Sequence, residues 1–161
     1  SDIPEAVLRW GKKQGFQIEI TALDLFHEPL KAGRLAPGIS RIQASCFDLP
    51  FQTQTFDYVM ASMFFHHLEN TEIYSVLAQA SAMAKRGIII NDLYRSVLPF
   101  IGFWFMTLFM GDPVFRNDGL ISIQKGFRIQ DLNEWISKTG LIFLKPFLHP
   151  FSFRVALAGE K

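Results

Sequence analysis

Four stretches of this chain that read as strands end on side chains that can do chemistry. Asp24 follows Ile20 to Leu23, and Ser45 with Cys46 follows the run from Arg41 to Ala44. Ser62 closes the run from Phe56 and leads to the adjacent His66 and His67, while Asn91 and Asp92 follow Ile88, Ile89 and Ile90. If these runs are strands of an open parallel sheet, all four sets lie beyond strand carboxyl ends, where ligands bind in such sheets. A carboxylate at Asp24 can accept hydrogen bonds from both hydroxyls of a ribose, or it can cap the next helix; its place one helix into the chain favours the ribose.

The paired histidines invite a metal reading, but geometry opposes it. Neighbours on a strand point to opposite faces, and on a helix they stand about 100° apart, so two adjacent rings rarely reach one ion. No cysteine cluster or His-x-x-x-His spacing completes a site, and no metal is expected. Imidazole titrates close to neutral pH, so a general base or an acceptor-orienting group fits His66 or His67 better. One ring packed and the other solvated is the structural alternative. Asn91, Asp92 and Tyr94 can line the same cleft, or the first two can cap a following helix, with Arg95 neutralising Asp92. Asp57 begins its strand, at the wrong end for chemistry, and reads as structural.

The elements that must position these groups alternate. Asp2 and Pro4 open a helix that Gly15 can end, and "FQIEITALD" (16–24) follows as a strand. "RIQASCF" (41–47) and "FDYVMAS" (56–62) are further strands, the second a buried one, with turn chemistry between them. Asn70 caps a helix whose apolar positions Ile73, Val76, Leu77, Ala80 and Met83 recur at helical spacing, with Gly87 just past its end. "GIIIND" is then a buried strand. Ile129, Leu132, Trp135 and Ile136 mark an amphipathic helix stopped by Gly140. "LIFLKPFL" and "FSFRVALA" are too closely linked for a parallel crossover and predict an antiparallel hairpin at the sheet edge. The expected fold class is α/β, a mostly parallel sheet with a C-terminal antiparallel hairpin and helices on both faces.

With 161 residues, one domain is expected over 1–161. Sixteen basic and 15 acidic residues give a net charge of +1, without the concentrated basic surface a nucleic-acid partner needs. The lone Cys46 suits a reducing cytosol, and no signal peptide is evident at the start. Val97 to Met110 is strongly apolar but short of the roughly 20 residues that span a bilayer. It predicts no integral membrane segment, and suits a lid or pocket-lining helix or, alternatively, a segment lying on a membrane surface. Its aromatic and methionine side chains suit a pocket for an apolar or aromatic molecule. Asn117, Asp118 and Gly119 predict a turn that closes this insertion, 93–127.

Taken together, "ITALDLF", "FDLPFQTQTFDYVMASMFFHHL", "RGIIINDLYRS" and "RNDGLISIQKGF" resemble class I S-adenosylmethionine-dependent methyltransferases, particularly those methylating quinone precursors and aromatic natural products. The resemblance runs along nearly all of the chain and implies a Rossmann-like methyltransferase sheet with a reversed last strand. It implies cofactor contacts at Asp2, Asp24, Leu25, Ser45, Cys46, Phe47 and Ser62, with Asp24 on the ribose and Leu25 against the adenine. It implies catalytic roles for His66 or His67 and acceptor contacts at Asn91, Asp92 and Tyr94. The implied activity is methyl transfer from S-adenosylmethionine to oxygen or carbon of a small, aromatic or apolar acceptor, by a cytoplasmic protein that can be a homodimer. Two departures stand out. Ser45 occupies the position where the family usually has an acid. The family's first strand and glycine-rich loop are expected immediately before Ser1, so the chain is expected to be N-terminally incomplete, with the strands ending at Asp24 and Ser62 flanking the gap. A non-catalytic methyltransferase-like binding module is the rival reading; a nicotinamide-dependent dehydrogenase is a third, weakened by the terminal hairpin and the Leu-Pro-Phe segment.

Overall fold

The computed structural model describes residues 2–31, 37–108, 113–139, 141–143, 146–149 and 154–161. Where the length suggests one domain, the chain divides into two compact units, Ser1–Pro50 and Phe51–Lys161. In the first, helix α1 (Asp2–Lys13) leads to strand β1 (Ile20–Asp24), a short helix α2 (His27–Lys31) and strand β2 (Ile39–Gln43). β1 and β2 pair in parallel from Ile20 opposite Ile39 to Asp24 opposite Gln43, so their carboxyl ends coincide. Both strands are shorter than expected: residues 16–19 lie outside β1, and Ser45 to Asp48 form a turn after β2.

The second unit begins with β3 (Phe56–Ser62), a 3-10 turn (Phe65–His67), helix α3 (Asn70–Met83) and β4 (Ala84–Leu93). Helices α4 (Val97–Thr107), α5 (Pro113–Gln124) and α6 (Ile129–Thr139) follow, then β5 (Ile142–Phe143), β6 (Phe147–His149) and β7 (Arg154–Glu160). The sheet order is β3-β4-β7-β5, with β6 also on β7. β3 and β4 are parallel, whereas β4, β5 and β6 all run antiparallel to β7. The sheet is therefore mixed. The C-terminal strands pair antiparallel as expected, but β7 lies inside the sheet, between β4 and β5. Among the described residues, β1 and β3 each pair on one side only. As an edge strand β3 is not buried: Tyr58 and Met60 are exposed.

The core of this unit is built from the periodic positions. Ile73, Val76, Leu77, Ala80 and Met83 of α3 are all buried, and the helix packs on β3, β4 and α6. Its cap is Glu69 rather than Asn70, because Glu69 and Glu72 form a capping box in which Glu69 N–H donates to Glu72 at 2.8 Å. Leu132 and Trp135 of α6 are buried with Phe65 and Phe127, while Ile129 is exposed; Gly140 lies outside the described residues.

Two glycines correct the sequence reading. Gly87 does not end α3, since β4 starts at Ala84; a Cβ there would lie 2.1 Å from the Gly159 carbonyl oxygen, so glycine allows β7 to close against β4. Nor do Asn117, Asp118 and Gly119 form a turn: α5 runs through all three. A Cβ on Gly119 would meet the Phe103 ring at 2.2 Å, so the glycine admits Phe103 of α4 against α5, and this packing overrides the local turn preference.

Candidate functional site

In the unit Ser1–Pro50, Asp24 ends β1 and Ala44 N–H donates to its carbonyl, continuing the ladder by one bond. One carboxylate oxygen accepts from Phe26 N–H at 2.9 Å, which closes a tight turn; the other has no hydrogen-bond partner among the described residues. Leu25 and Phe47 are exposed, and the Leu25 carbonyl accepts from the Gln43 amide at 3.0 Å. The Ser45 hydroxyl oxygen accepts from Phe47 N–H at 3.2 Å, so it orders its own turn, with Cys46 half-buried inside it. Because β1 and β2 are parallel and in register, Asp24, Leu25, Ser45, Cys46 and Phe47 all lie at one end of the pair. The α1 helix begins at Asp2, whose side chain lies outside the description.

In the unit Phe51–Lys161, β3 and β4 likewise end together, with Ser62 opposite Asn91. The Asn91 amide donates to the Ser62 hydroxyl at 2.9 Å, so these two side chains engage each other. Met63 then turns the chain with φ 52°, a left-handed conformation rare for a side-chain-bearing residue, and its N–H donates to the Asn91 carbonyl at 2.8 Å. Such outliers persist where surrounding structure holds them, often beside functional sites.

What holds this turn is Asp92. It is 0 % exposed, so it makes no contact with a molecule in a cleft, contrary to the sequence reading. Its Oδ2 accepts from Phe64 N–H at 3.1 Å and Phe65 N–H at 2.8 Å. Its Oδ1 accepts from Leu93 N–H at 2.7 Å and lies 2.6 Å from His66 Nδ1. A carboxylate is an acceptor only, so His66 donates through Nδ1. Arg95 does not neutralise Asp92; it pairs with Asp131 at 3.1 Å.

His66 and His67 both line a cavity of about 350 Å3. Their rings are 3.9 Å apart between centroids. His66 is only 4 % exposed, whereas His67 is exposed. Partial burial and then the neighbouring His66 lower the His67 pKa below its ordinary 6.5; Asp92 pulls it upward, and Lys125 adds the smallest effect, a lowering. The other walls carry Tyr74, Arg95, Lys125, Asp131 and Glu134, with Phe127 and Trp135 in edge-to-face contact at 4.5 Å. Tyr74 and Lys138 both donate to Glu134, which holds that carboxyl below its ordinary range. Tyr94 instead lines a second depression, with Arg95, Ser96, Val97 and Arg128. Sequence reasoning therefore reached the two histidines but missed Lys125 and the α6 carboxylates. Lys125 lies in "RNDGLISIQKGF", and its placement depends on Phe127 N–H donating back to the Leu93 carbonyl at 2.8 Å.

A family profile described as a methyltransferase domain matches residues 5–90. No curated protein sequence matches the chain. Among solved structures, the magnesium protoporphyrin IX methyltransferase of Synechocystis PCC 6803, with SAH bound, is similar at a TM-score of 0.62 and 11% identity, over 98% of this chain and 81% of that one. A SAM-dependent methyltransferase from Archaeoglobus fulgidus gives 0.61 and 15%, over 96% and 80%. An O-methyltransferase family 2 protein from Planctomyces limnophilus DSM 3776, in complex with apigenin, gives 0.53 and 14%; the match covers 77% of this chain but 35% of that longer one. At such identities the likeness is one of fold.

Proposed function

The chain belongs to the methyltransferase-domain family, and on that premise we propose that it transfers a methyl group from S-adenosylmethionine to an oxygen or carbon of a small, aromatic or apolar acceptor. The end of the β1–β2 pair fits that cofactor's nucleoside: the open oxygen of Asp24 can take a ribose hydroxyl, and the exposed Leu25 and Phe47 offer apolar surface for adenine. Within the same unit, Ser45 and Cys46 are proposed as further polar and backbone contacts. When bound, the cofactor supplies an electrophilic methyl group on a sulfonium.

The chain's own part in such a transfer is to orient the acceptor and to take its proton. The observation that carries the assignment is the Asp92–His66–His67 arrangement at the mouth of the cavity. Asp92 fixes the His66 ring and tautomer, and His66 packs against His67 as a positioning residue. His67, exposed to the cavity and kept neutral by its surroundings, is the base for an acceptor hydroxyl. Lys125 beside it would favour the resulting oxyanion. Asn91, tied to Ser62, holds the two strand ends together, and Tyr94 borders the neighbouring depression. One structural relative is named for methylating magnesium protoporphyrin IX and another is in complex with apigenin, and the aromatic wall of Phe127 and Trp135 suits molecules of that class.

Titration calorimetry with S-adenosylhomocysteine tests the reading. Binding is expected, weakened about 10- to 100-fold by Asp24→Ala through loss of a charged hydrogen-bond acceptor. With binding established, His67→Gln is expected to lower turnover and leave that affinity unchanged. The rival reading, a non-catalytic methyltransferase-like module, is favoured by Ser45, whose uncharged side chain serves its own turn; absence of binding would support it.

A further inference from the structure

Helix α4 presents an apolar surface that the fold does not cover. Its inner side is half-buried Phe100, Phe103 and buried Thr107, with Phe103 seated over Gly119 and 5.8 Å from the Phe115 ring of α5. Its outer side is Val97, Ile101, Trp104, Phe105 and Leu108, spaced 4, 3, 1 and 3 residues apart, which on a helix is one continuous stripe. All five are exposed, Val97 by 72 % and Trp104 by 46 %; Met106 is exposed on another side of the helix, and Val114, Phe115 and Ile121 of α5 are exposed as well. From Val97 to Leu108 there is no charged residue. An exposed apolar patch of this size commonly marks an interaction surface.

The flanks indicate the partner. Between Tyr94 and Arg128 the chain carries Arg95, Arg116, Lys125 and Arg128 against Asp112 and Asp118. Arg95 and Arg128 line a depression of about 410 Å3 that also includes Val97, so cationic side chains border the amino-terminal end of the apolar stripe. No carboxylate lines that depression; Arg95 pairs with Asp131 at 3.1 Å, whereas Arg128 is exposed. An apolar face with a basic border and a tryptophan in the stripe matches an anionic lipid surface. The helix is only 11 residues long, about 16 Å, and no described helix is long and apolar enough to cross a membrane, so such a helix would lie in the interface rather than span it.

We propose that helices α4 and α5 form a membrane-surface element that docks on anionic lipid, with Val97, Ile101, Trp104, Phe105 and Leu108 entering the acyl boundary and Arg128 facing headgroup phosphates. This inference stands on that element alone and holds whether or not the cavity carries out methyl transfer. Co-sedimentation of the full chain with vesicles tests it. Binding to phosphatidylcholine vesicles containing phosphatidylglycerol is expected to exceed binding to phosphatidylcholine alone by about tenfold. Brominated acyl chains should quench Trp104 emission in the bound protein, a signal absent from Trp104→Phe. The double variant Ile101→Ser with Phe105→Ser should lose vesicle binding, and Arg128→Gln should weaken only the phosphatidylglycerol-dependent part. Circular dichroism of both variants should match the parent, since the changed side chains are exposed; should the double variant unfold, Val97→Lys provides the same readout at another point of the stripe. Failure to bind either vesicle overturns the proposal. So does protection of Trp104 that depends on protein concentration without lipid, which would assign the stripe to a second copy of the chain.

Discussion

Around Asp92 a carboxylate is wholly buried and both of its oxygens are engaged, whereas on α4, only a few residues further on, five large apolar side chains in one stripe face outward. The two regions invert the usual rule of apolar inside and polar outside, and for different reasons. A buried carboxylate is tolerable only when every lone pair has a donor, and in return it fixes the geometry of all those donors at once: three backbone N–H groups and one imidazole. An exposed apolar stripe imposes no such geometry; it offers a surface, which the proposal above assigns to lipid. The first region is specified from within and the second from without.

Breaking the inner region should therefore have the largest effect on folding. Asp92→Ala leaves the Phe64, Phe65 and Leu93 amides and the His66 ring without their acceptor in a buried place. A loss of about 3–5 kcal/mol is expected in urea unfolding. A loss below about 1 kcal/mol would mean that water or rearrangement replaces the carboxylate easily. A contrast of the same kind exists between two glycines. Gly87→Ala drives a Cβ into the Gly159 carbonyl, which is backbone and cannot swing away, and should cost about 1–3 kcal/mol. Gly119→Ala meets only the tip of the Phe103 ring, and alanine gains about 1 kcal/mol of helix propensity, so the net change should be smaller. On the outer surface, Trp104→Ala should move stability by no more than about 0.5 kcal/mol. A larger loss would place that ring in a core after all.

The same contrast explains what could be read from sequence. The periodic positions of α3 were legible because one buried face imposes one period, and Ile73, Val76, Leu77, Ala80 and Met83 are buried together. β3 was legible to the residue, as Phe56–Ser62, but its burial was not, because burial depends on what lies beside an edge. Asn117-Asp118-Gly119 reads as a turn because local propensity cannot foresee a Phe103 ring arriving from another helix. At the candidate site, the burial of the two histidines, one packed and one exposed, matches the structural alternative read from the sequence. The sequence could not reveal that Asp92 lies under them rather than beside a ligand. That depends on the left-handed Met63 turn and on a β3–β4 register that places the strand ends side by side.

The least disruptive test touches the boundary between the two regions, at His67. Its pKa is lowered chiefly by partial burial and then by the neighbouring His66, with a smaller lowering from the Lys125 ammonium. In the folded protein the ring gives up its proton below the 6.5 of an unperturbed histidine, so between that lower value and 6.5 the unfolded chain holds more protons. Stability should accordingly rise with pH across this window and fall as the solution is acidified through it. Removing a charge that opposes protonation must move the titration upward: Lys125→Met should raise the His67 pKa toward 6.5 while leaving the His66 resonances, whose Nδ1 is held by Asp92, in the same tautomer. Imidazole NMR over a pH series reads both rings separately. If Lys125→Met instead lowers the His67 pKa, or shifts His66 equally, the exposed ring is not set apart from the buried one. The distinction between a positioning histidine and an acceptor-facing histidine would then be lost.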